Sequence, residues 1–172
     1  YTQQAYQYEL KDNTIPEIQR TNLGNVILLL KSLGINDLIH FDFMDPPSAQ
    51  ALIKALELLY ALGALNDHGI LTKLGRRMAE LPLDPQLSKM LIQSEYYHCT
   101  NDIITICAML SINHSIFYKP KDQLIQANNA HLYFIDPLGD HLTLLKIYNT
   151  WKSNSYSKQW CYQHFIQYKN IK

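Results

Sequence analysis

The side chains of this sequence that are best suited to binding chemistry lie near its C-terminal end. Residues 119–172 contain seven lysines and three aspartates, whereas residues 1–75 contain five basic and eight acidic side chains. Lysines bind phosphate groups and aromatic rings stack on nucleobases, so this composition predicts a surface for single-stranded nucleic acid. The candidate residues are Tyr118, Lys119, Lys121, Lys146, Lys152 and Lys158. The excess of positive charge is modest, and the same lysines could instead form an ordinary solvated face.

No combination of residues predicts catalysis or a metal site. The seven histidines are scattered singly, and the three cysteines lack the paired spacing of metal ligands. Cys107 falls within an apolar helical pattern and has no neighbouring base, which is typical of a buried hydrophobic side chain rather than a nucleophile. We therefore predict no catalytic residue, no metal ligand and no cofactor for this stretch of chain.

Composition excludes two further classes of protein. With 47% hydrophobic and 17% charged residues among 172, the chain has enough apolar material for one or two folded domains, so disorder is excluded. It has no apolar run of membrane-spanning length, and we predict no membrane partner. Because Tyr1 rather than methionine opens the sequence, we interpret the chain as a fragment of a longer protein.

The central stretch, residues 52–85, predicts a helix, a short hairpin and a second helix. Apolar residues recur at helical spacing from Leu52 to Leu62, and Gly63 can end that helix in the left-handed conformation. Residues 66–69 read Asn-Asp-His-Gly, which favours a turn between two very short strands. Thr72 can then cap the next helix. This order of elements predicts a winged helix.

We interpret the predicted winged helix as a structural module rather than as a DNA-binding domain. Its first helix, capped by Ser48, would expose Gln50, Lys54 and Glu57. None of these is an arginine that could bind guanine in the major groove, and only one is basic. A free-standing winged-helix DNA-binding module nevertheless remains an alternative interpretation.

Residues near the N-terminus supply a further helix with one residue out of pattern. Leu23, Val26, Ile27, Leu30 and Leu33 form an apolar stripe that ends at Gly34. Leu28 falls off this stripe, so we expect it either to be covered by a neighbouring layer or to dock a partner. Residues 1–15 alternate weakly, which predicts an edge strand or the tail of a preceding domain.

The second half of the chain predicts a series of helices, so the fold class is mainly α. The apolar patterns begin at Asp84 and continue to the last residues. The final pattern, with Trp160, Phe165 and Tyr168, predicts a single helix. A loop containing Phe117 and Tyr118 interrupts the series.

Many short runs resemble, in the same order, the region that follows the second RecA-like domain of DEAH-box RNA helicases. The runs are PEIQR at 16–20, LKSLGI at 30–35, FDFMDPP at 41–47, LYALGAL at 59–65, LTKLGRRMA at 71–79, AMLS at 108–111, FYKP at 117–120 and WC at 160–161. The resemblance covers nearly the whole chain. Within the family, the sequence is most similar to the members that act in pre-mRNA splicing.

The resemblance implies three parts. Residues 1–15 would be the tail of the RecA-like domain, residues 16–75 a winged-helix domain, and residues 76–172 a helical ratchet-like domain that is incomplete at its C-terminal end. In the family, the ratchet forms one wall of a channel for single-stranded RNA, and ATP-driven movements of the RecA-like domains shift the strand.

The same resemblance implies the partners and the compartment. ATP and magnesium would act in the parent protein, because this chain lacks the phosphate-binding loop and the other motifs of the motor domains. The expected partners are pre-mRNA, the helicase's own RecA-like domains, a glycine-patch activator protein and spliceosome components, all in the nucleus. Leu28 is the candidate docking residue for the activator. A protein-interaction scaffold without nucleic-acid binding is the remaining alternative.

Overall fold

The computed structural model describes residues 1–10, 13–112 and 115–172. The chain forms two compact units, Tyr1–Lys89 and Met90–Lys172. Both consist mainly of helices, which confirms the predicted fold class.

In residues 1–10 and 13–89, the first unit contains five complete helices. They are α1 (Gln3–Tyr8), α2 (Glu17–Arg20), α3 (Gly24–Ser32), α4 (Ala49–Ala61) and α5 (Lys73–Ala79). Helix α3 packs against both α4 and α5. A sixth helix, α6 (Pro85–Ser94), contains the division between the two units.

The predicted edge strand near the N-terminus is wrong, because α1 occupies that segment. The Thr2 side chain caps this helix by accepting a hydrogen bond from the Ala5 amide at 3.2 Å. None of its residues is buried. The alternating residues Tyr6 and Tyr8 could have belonged to a strand only if another strand lay beside them to pair with their backbone. The Thr2 cap instead provides a hydrogen bond to a free amide at the start of a helix, with no distant partner needed.

The buried face of α3 also differs from the predicted stripe. Ile27 and Leu28 are fully buried, whereas Val26 and Leu33 are exposed. Because α3 contacts two helices, it buries a wider part of its surface than the narrow apolar stripe expected for a helix with one neighbour. The centre of this buried surface lies one residue later in the chain than the centre of the predicted stripe. The neighbouring layer that covers Leu28 is therefore part of this chain.

The predicted wing is confirmed in a minimal form. Leu65 and Leu71 pair in a single antiparallel bridge. Between them, the side-chain oxygen of Asn66 accepts hydrogen bonds from the His68 and Ile70 amides at 3.1 and 2.9 Å, and Gly69 has a φ of 68°. The hydrogen bonds of the Asn66 side chain thus stabilise the turn in place of the additional inter-strand hydrogen bonds that a longer hairpin would have.

Both predicted helix caps beside the wing are present. Ser48 accepts a hydrogen bond from the Ala51 amide at 3.2 Å, and Thr72 accepts one from the Gly75 amide at 3.0 Å. The Thr72 hydroxyl also donates to the Gly63 carbonyl at 2.8 Å, so a single side chain joins the start of α5 to the end of α4.

The part of the second unit that the structure describes contains the remaining five helices and a short 3-10 turn, Lys121–Gln123. The helices are α7 (Thr100–Leu110), α8 (Leu124–Leu132), α9 (Asp140–Ser153), α10 (Lys158–Gln163) and α11 (Tyr168–Ile171). Helix α7 packs against α9. The core contains Met109, Ile116, Phe134, Ile147, Trp151, Trp160, Cys161, Ile166 and Ile171.

The single helix predicted at the end of the chain is divided into α10 and α11. Phe165, between them, adopts a φ of 55°, which is unusual for a residue other than glycine and ends a helix. Ile166 then pairs with Phe117 in an antiparallel bridge. The long-range pairing explains why the apolar pattern, although helical in spacing, does not form one continuous helix.

Candidate nucleic-acid interface

The loop that follows α7 is held against the connection between α10 and α11 by backbone hydrogen bonds. The Tyr118 amide donates to the Phe165 carbonyl at 3.0 Å, and the Gln167 amide donates to the Ile116 carbonyl at 2.8 Å. The Asn170 side chain adds a third bond, from its amide nitrogen to the Ser115 carbonyl at 2.8 Å. These bonds fix the position of Tyr118, one of the predicted binding residues.

A buried histidine supports the same connection from α8. His131 is only 6% exposed, and its ring lies 4.1 Å from the Phe117 ring, centroid to centroid. Burial lowers the pKa of His131 and outweighs the hydrogen bond to Phe165, which acts in the opposite direction, while the positive charge of Lys119 adds to the lowering. The neutral ring therefore carries its proton on Nε2, which donates to the Phe165 carbonyl at 3.1 Å. His131 acts as a structural group in this region.

A groove of about 560 Å³ lies beside this connection, and we call it the tyrosine–lysine groove. Its lining residues are Tyr118, Lys158, Tyr162, Ile166, Gln167, Tyr168 and Lys169. The structure thus brings together Tyr118 and Lys158, which the sequence had nominated from charge and composition alone.

Tyr162, Tyr168 and Lys169 are groove residues that the sequence analysis missed. The spacing of Lys158 and Tyr162, four residues apart on α10, could have indicated their contact. The Lys158 ammonium lies 5.6 Å from the centre of the Tyr162 ring, within the range of a cation–π interaction. Lys169 and Tyr168 become groove residues only because the chain turns at Phe165.

The other nominated lysines do not line this groove. Lys119 and Lys121 are exposed on the loop and on the 3-10 turn that follow Tyr118. Lys146 donates a hydrogen bond to the Tyr133 carbonyl at 2.7 Å and lies 5.0 Å from the centre of the Tyr133 ring. Lys152 is exposed, and its position six residues after Lys146 places it about 120° away around α9.

None of the nominated lysines forms an ion pair with a carboxylate of residues 1–10, 13–112 and 115–172. A lysine without a carboxylate partner retains its positive charge for an anionic ligand, and phosphate is the anion that an aromatic and basic groove fits.

Leu28, the nominated docking residue, is not accessible. Its side chain is 0% exposed, because α3 packs against two helices. The surface next to it is different: Val26 and Leu29 are exposed and line a mainly apolar groove of about 330 Å³ together with Asn25, Ala79, Glu80, Leu81 and Pro82. We call this surface the α3 groove. The burial of Leu28 corrects the docking prediction, because its physical role is in the core.

Two of the three cysteines lie in the interior of the protein. Cys107 and Cys161 are buried, and burial raises the pKa of both thiols, which keeps them protonated. The buried position of Cys107 confirms the prediction. Among the described residues, no group of three or more histidine, cysteine, aspartate or glutamate side chains could hold a metal ion.

None of the helices in the described ranges is long and apolar enough to cross a membrane.

The winged helix and the helical unit that follows it in the chain both resemble helicase-associated modules. Residues 55–83 match the winged-helix part of the helicase associated domain (HA2), and residues 84–144 match its ratchet-like part. The two adjacent matches together cover slightly more than half of the chain. The chain belongs to the helicase-associated (HA2) family, whose domains are modules of RNA helicases.

Proposed function

We propose that this chain is the non-catalytic C-terminal module of a DEAH-box RNA helicase that acts in pre-mRNA splicing in the nucleus. In this proposal the helical second unit forms part of a channel for single-stranded RNA. The winged helix connects it to the RecA-like domains, in which ATP and magnesium act. Support comes from the adjacent winged-helix and ratchet-like matches and from the ordered runs that resemble splicing helicases.

The observation that carries the RNA proposal is the tyrosine–lysine groove. Its lysines can bind phosphate and its tyrosine rings can stack on bases, which is how proteins hold single strands without reading their sequence. Duplex DNA offers no unstacked bases on which the tyrosine rings could stack. The exposed Gln50, Lys54 and Glu57 of α4 carry too little positive charge to bind a duplex.

The first test is fluorescence anisotropy of this chain with single-stranded RNA and with duplex DNA at about 50 and 200 mM salt. We expect binding that prefers single-stranded RNA. If the two groove lysines, Lys158 and Lys169, contact phosphates, that rise in salt should weaken binding about 7-fold, because each contact contributes about 0.7 to the slope of log affinity against log salt.

Two outcomes would contradict this proposal. Preference for duplex DNA, reduced by Lys54→Gln on α4, would indicate a DNA-binding winged helix. An absence of binding to either nucleic acid at low salt would favour a protein-interaction scaffold. The two alternatives are separated by the same titration.

We further propose that the α3 groove docks the helix of a glycine-patch activator protein. The support is an apolar groove lined by exposed Val26 and Leu29, a surface that suits the apolar face of a short helix. The previously nominated Leu28 would contribute only indirectly, because its buried side chain packs α3 against the core of the first unit.

Leu29→Asp should weaken binding of a glycine-patch peptide at least about 10-fold, because it places a charge in the apolar contact. The fold should be retained, because Leu29 is half-exposed. Leu28→Asp should instead unfold the first unit, since the carboxylate would be buried without a partner. Isothermal titration calorimetry measures the affinity, and circular dichroism measures the fold.

Ile53→Asp is the matched control, because Ile53 is equally exposed but lies on α4 outside the α3 groove. Equal affinities for the Leu29→Asp variant, the Ile53→Asp variant and the unmodified chain would exclude the groove as the docking site.

A further inference from the structure

We propose that the tyrosine–lysine groove binds a single nucleotide of single-stranded RNA, with the base on the Tyr162 ring and the adjoining phosphate between Lys158 and Lys169. This inference rests on the proposed function and adds to it a defined site, its residues and the form of the ligand.

The dimensions and lining of the groove suit one nucleotide. Its volume of about 560 Å³ is in the range of small-ligand sites, which span about 300–1,000 Å³. Ile166 lines it and is fully buried, whereas the Tyr162 ring is 54% exposed. An apolar lining beside an accessible ring offers a flat base a stacking surface.

The two lysines at the groove are suited to the phosphate. Lys158 lies over the Tyr162 ring in this structure, which is the face that a stacked base would occupy. Its flexible side chain can leave the ring when the base arrives and bind the adjoining phosphate instead. One cation–π contact is thereby replaced by a base stack and an ion pair.

The groove is already ordered before a ligand binds. Two backbone hydrogen bonds join the two sides of the groove. The Tyr118 amide donates to the Phe165 carbonyl at 3.0 Å, and the Gln167 amide donates to the Ile116 carbonyl at 2.8 Å. The buried His131 donates a further hydrogen bond to the Phe165 carbonyl at 3.1 Å. Binding to an ordered site loses less conformational entropy, so even a single nucleotide contributes to affinity.

The aromatic content favours RNA over an acidic peptide. Three tyrosines contribute to one groove, and every base has a flat face that stacks on such a ring. An acidic peptide would use the two lysines but would gain little from the Tyr162 ring. The separate contributions of ring and charge therefore distinguish the two ligands.

The test compares variants of the full chain by fluorescence anisotropy with a fluorescein-labelled oligouridylate. Tyr162→Leu should weaken binding at least about 5-fold, because a stacked base is lost, whereas Tyr162→Phe should bind as the unmodified chain does. The double variant Lys158→Gln and Lys169→Gln should lower the slope of log affinity against log salt by about 1.4, the value for two phosphate contacts.

Two control variants carry the same substitutions elsewhere in the chain. Tyr97→Leu removes a tyrosine that is 70% exposed, and Lys73→Gln removes an exposed lysine on α5 of the first unit; neither residue lines the groove. All variants should melt at nearly the same temperature by circular dichroism, since the substituted side chains are exposed. Photocrosslinking with 5-iodouridine in the oligonucleotide should modify Tyr162 or Tyr118, as located by mass spectrometry.

The outcomes separate this site from the broader proposal. If the unmodified chain binds the RNA but the groove variants behave like the controls, the groove assignment is overturned and the RNA function stands. If the unmodified chain does not bind the RNA, both are overturned. If the lysine variants lose binding of a polyglutamate peptide while RNA affinity is unchanged, the groove is a peptide site and the inference is wrong.

Discussion

Substituting Gly75 by alanine is expected to destabilise the first unit by at least about 2 kcal/mol. A Cβ atom at this position would lie 2.2 Å from the Ala64 carbonyl oxygen and 2.8 Å from a methyl carbon of Leu71. The carbonyl cannot move away easily, because it accepts a hydrogen bond from the Thr72 amide at 3.0 Å. Overpacking against backbone costs about 3 kcal/mol, which exceeds the roughly 1 kcal/mol that alanine gains over glycine in a helix.

Urea denaturation measured by circular dichroism gives the loss of stability in the Gly75→Ala variant. Hydrogen exchange of the α3, α4 and α5 amides locates that loss in the first unit. Lys73→Ala is the matched control, because Lys73 lies in the same helix with its side chain exposed, and we expect a change of less than about 0.5 kcal/mol. A Gly75→Ala variant as stable as this control would mean that α5 can shift away from the wing.

Substituting Phe134 by alanine is expected to cost the second unit about 3–5 kcal/mol of unfolding free energy. Phe134 is 0% exposed, and its ring contacts Trp160 edge to face at 5.7 Å between centroids. The ring of His164 lies at 5.6 Å. Removing the ring leaves a cavity between side chains whose positions are fixed by the α10 helix and by the Phe165 turn, so the surroundings cannot collapse to fill it.

Tryptophan fluorescence during urea denaturation reports on Phe134→Ala, because both tryptophans, Trp151 and Trp160, belong to the core of this unit. Leu132→Ala provides the comparison, since Leu132 is two residues away and 62% exposed, and a change below about 0.5 kcal/mol is expected. A loss of less than 1 kcal/mol for Phe134→Ala would show that the core repacks around the missing ring.

Several elements of the first unit could be read directly from the sequence because they depend on neighbouring residues. The Ser48 and Thr72 caps satisfy helix amides within the next three residues, and Gly63 takes the left-handed conformation with a φ of 73°. The turn at residues 66–69 is likewise stabilised by the side chain of Asn66. Interactions of this kind have short range, so the order of residue types specifies them.

Other features depended on contacts that local patterns cannot specify. The buried face of α3 was misassigned because two helices, rather than one, pack on it, which buries Leu28 and leaves Val26 exposed. The early alternation of Tyr6 and Tyr8 predicted a strand, but a strand needs a partner, and the Thr2 cap made a helix the locally satisfied structure.

The candidate site likewise depends partly on local sequence and partly on long-range contacts. The sequence by itself determined the helicase-associated family, the mainly helical fold, the wing with its caps, and the basic and aromatic character of the C-terminal half. These follow from residue type, order and local hydrogen bonding. Only the tertiary structure decided which of those residues form one groove.

Tyr118 and Lys158 are distant in sequence and meet because Phe117 pairs with Ile166 across the core. The same pairing accompanies the left-handed turn at Phe165, which ends α10 and brings Tyr168 and Lys169 to the groove. Long-range pairing of this kind forms when the gain from burying the core exceeds the local preference for a continuous helix, and no spacing of residues within one segment records that balance.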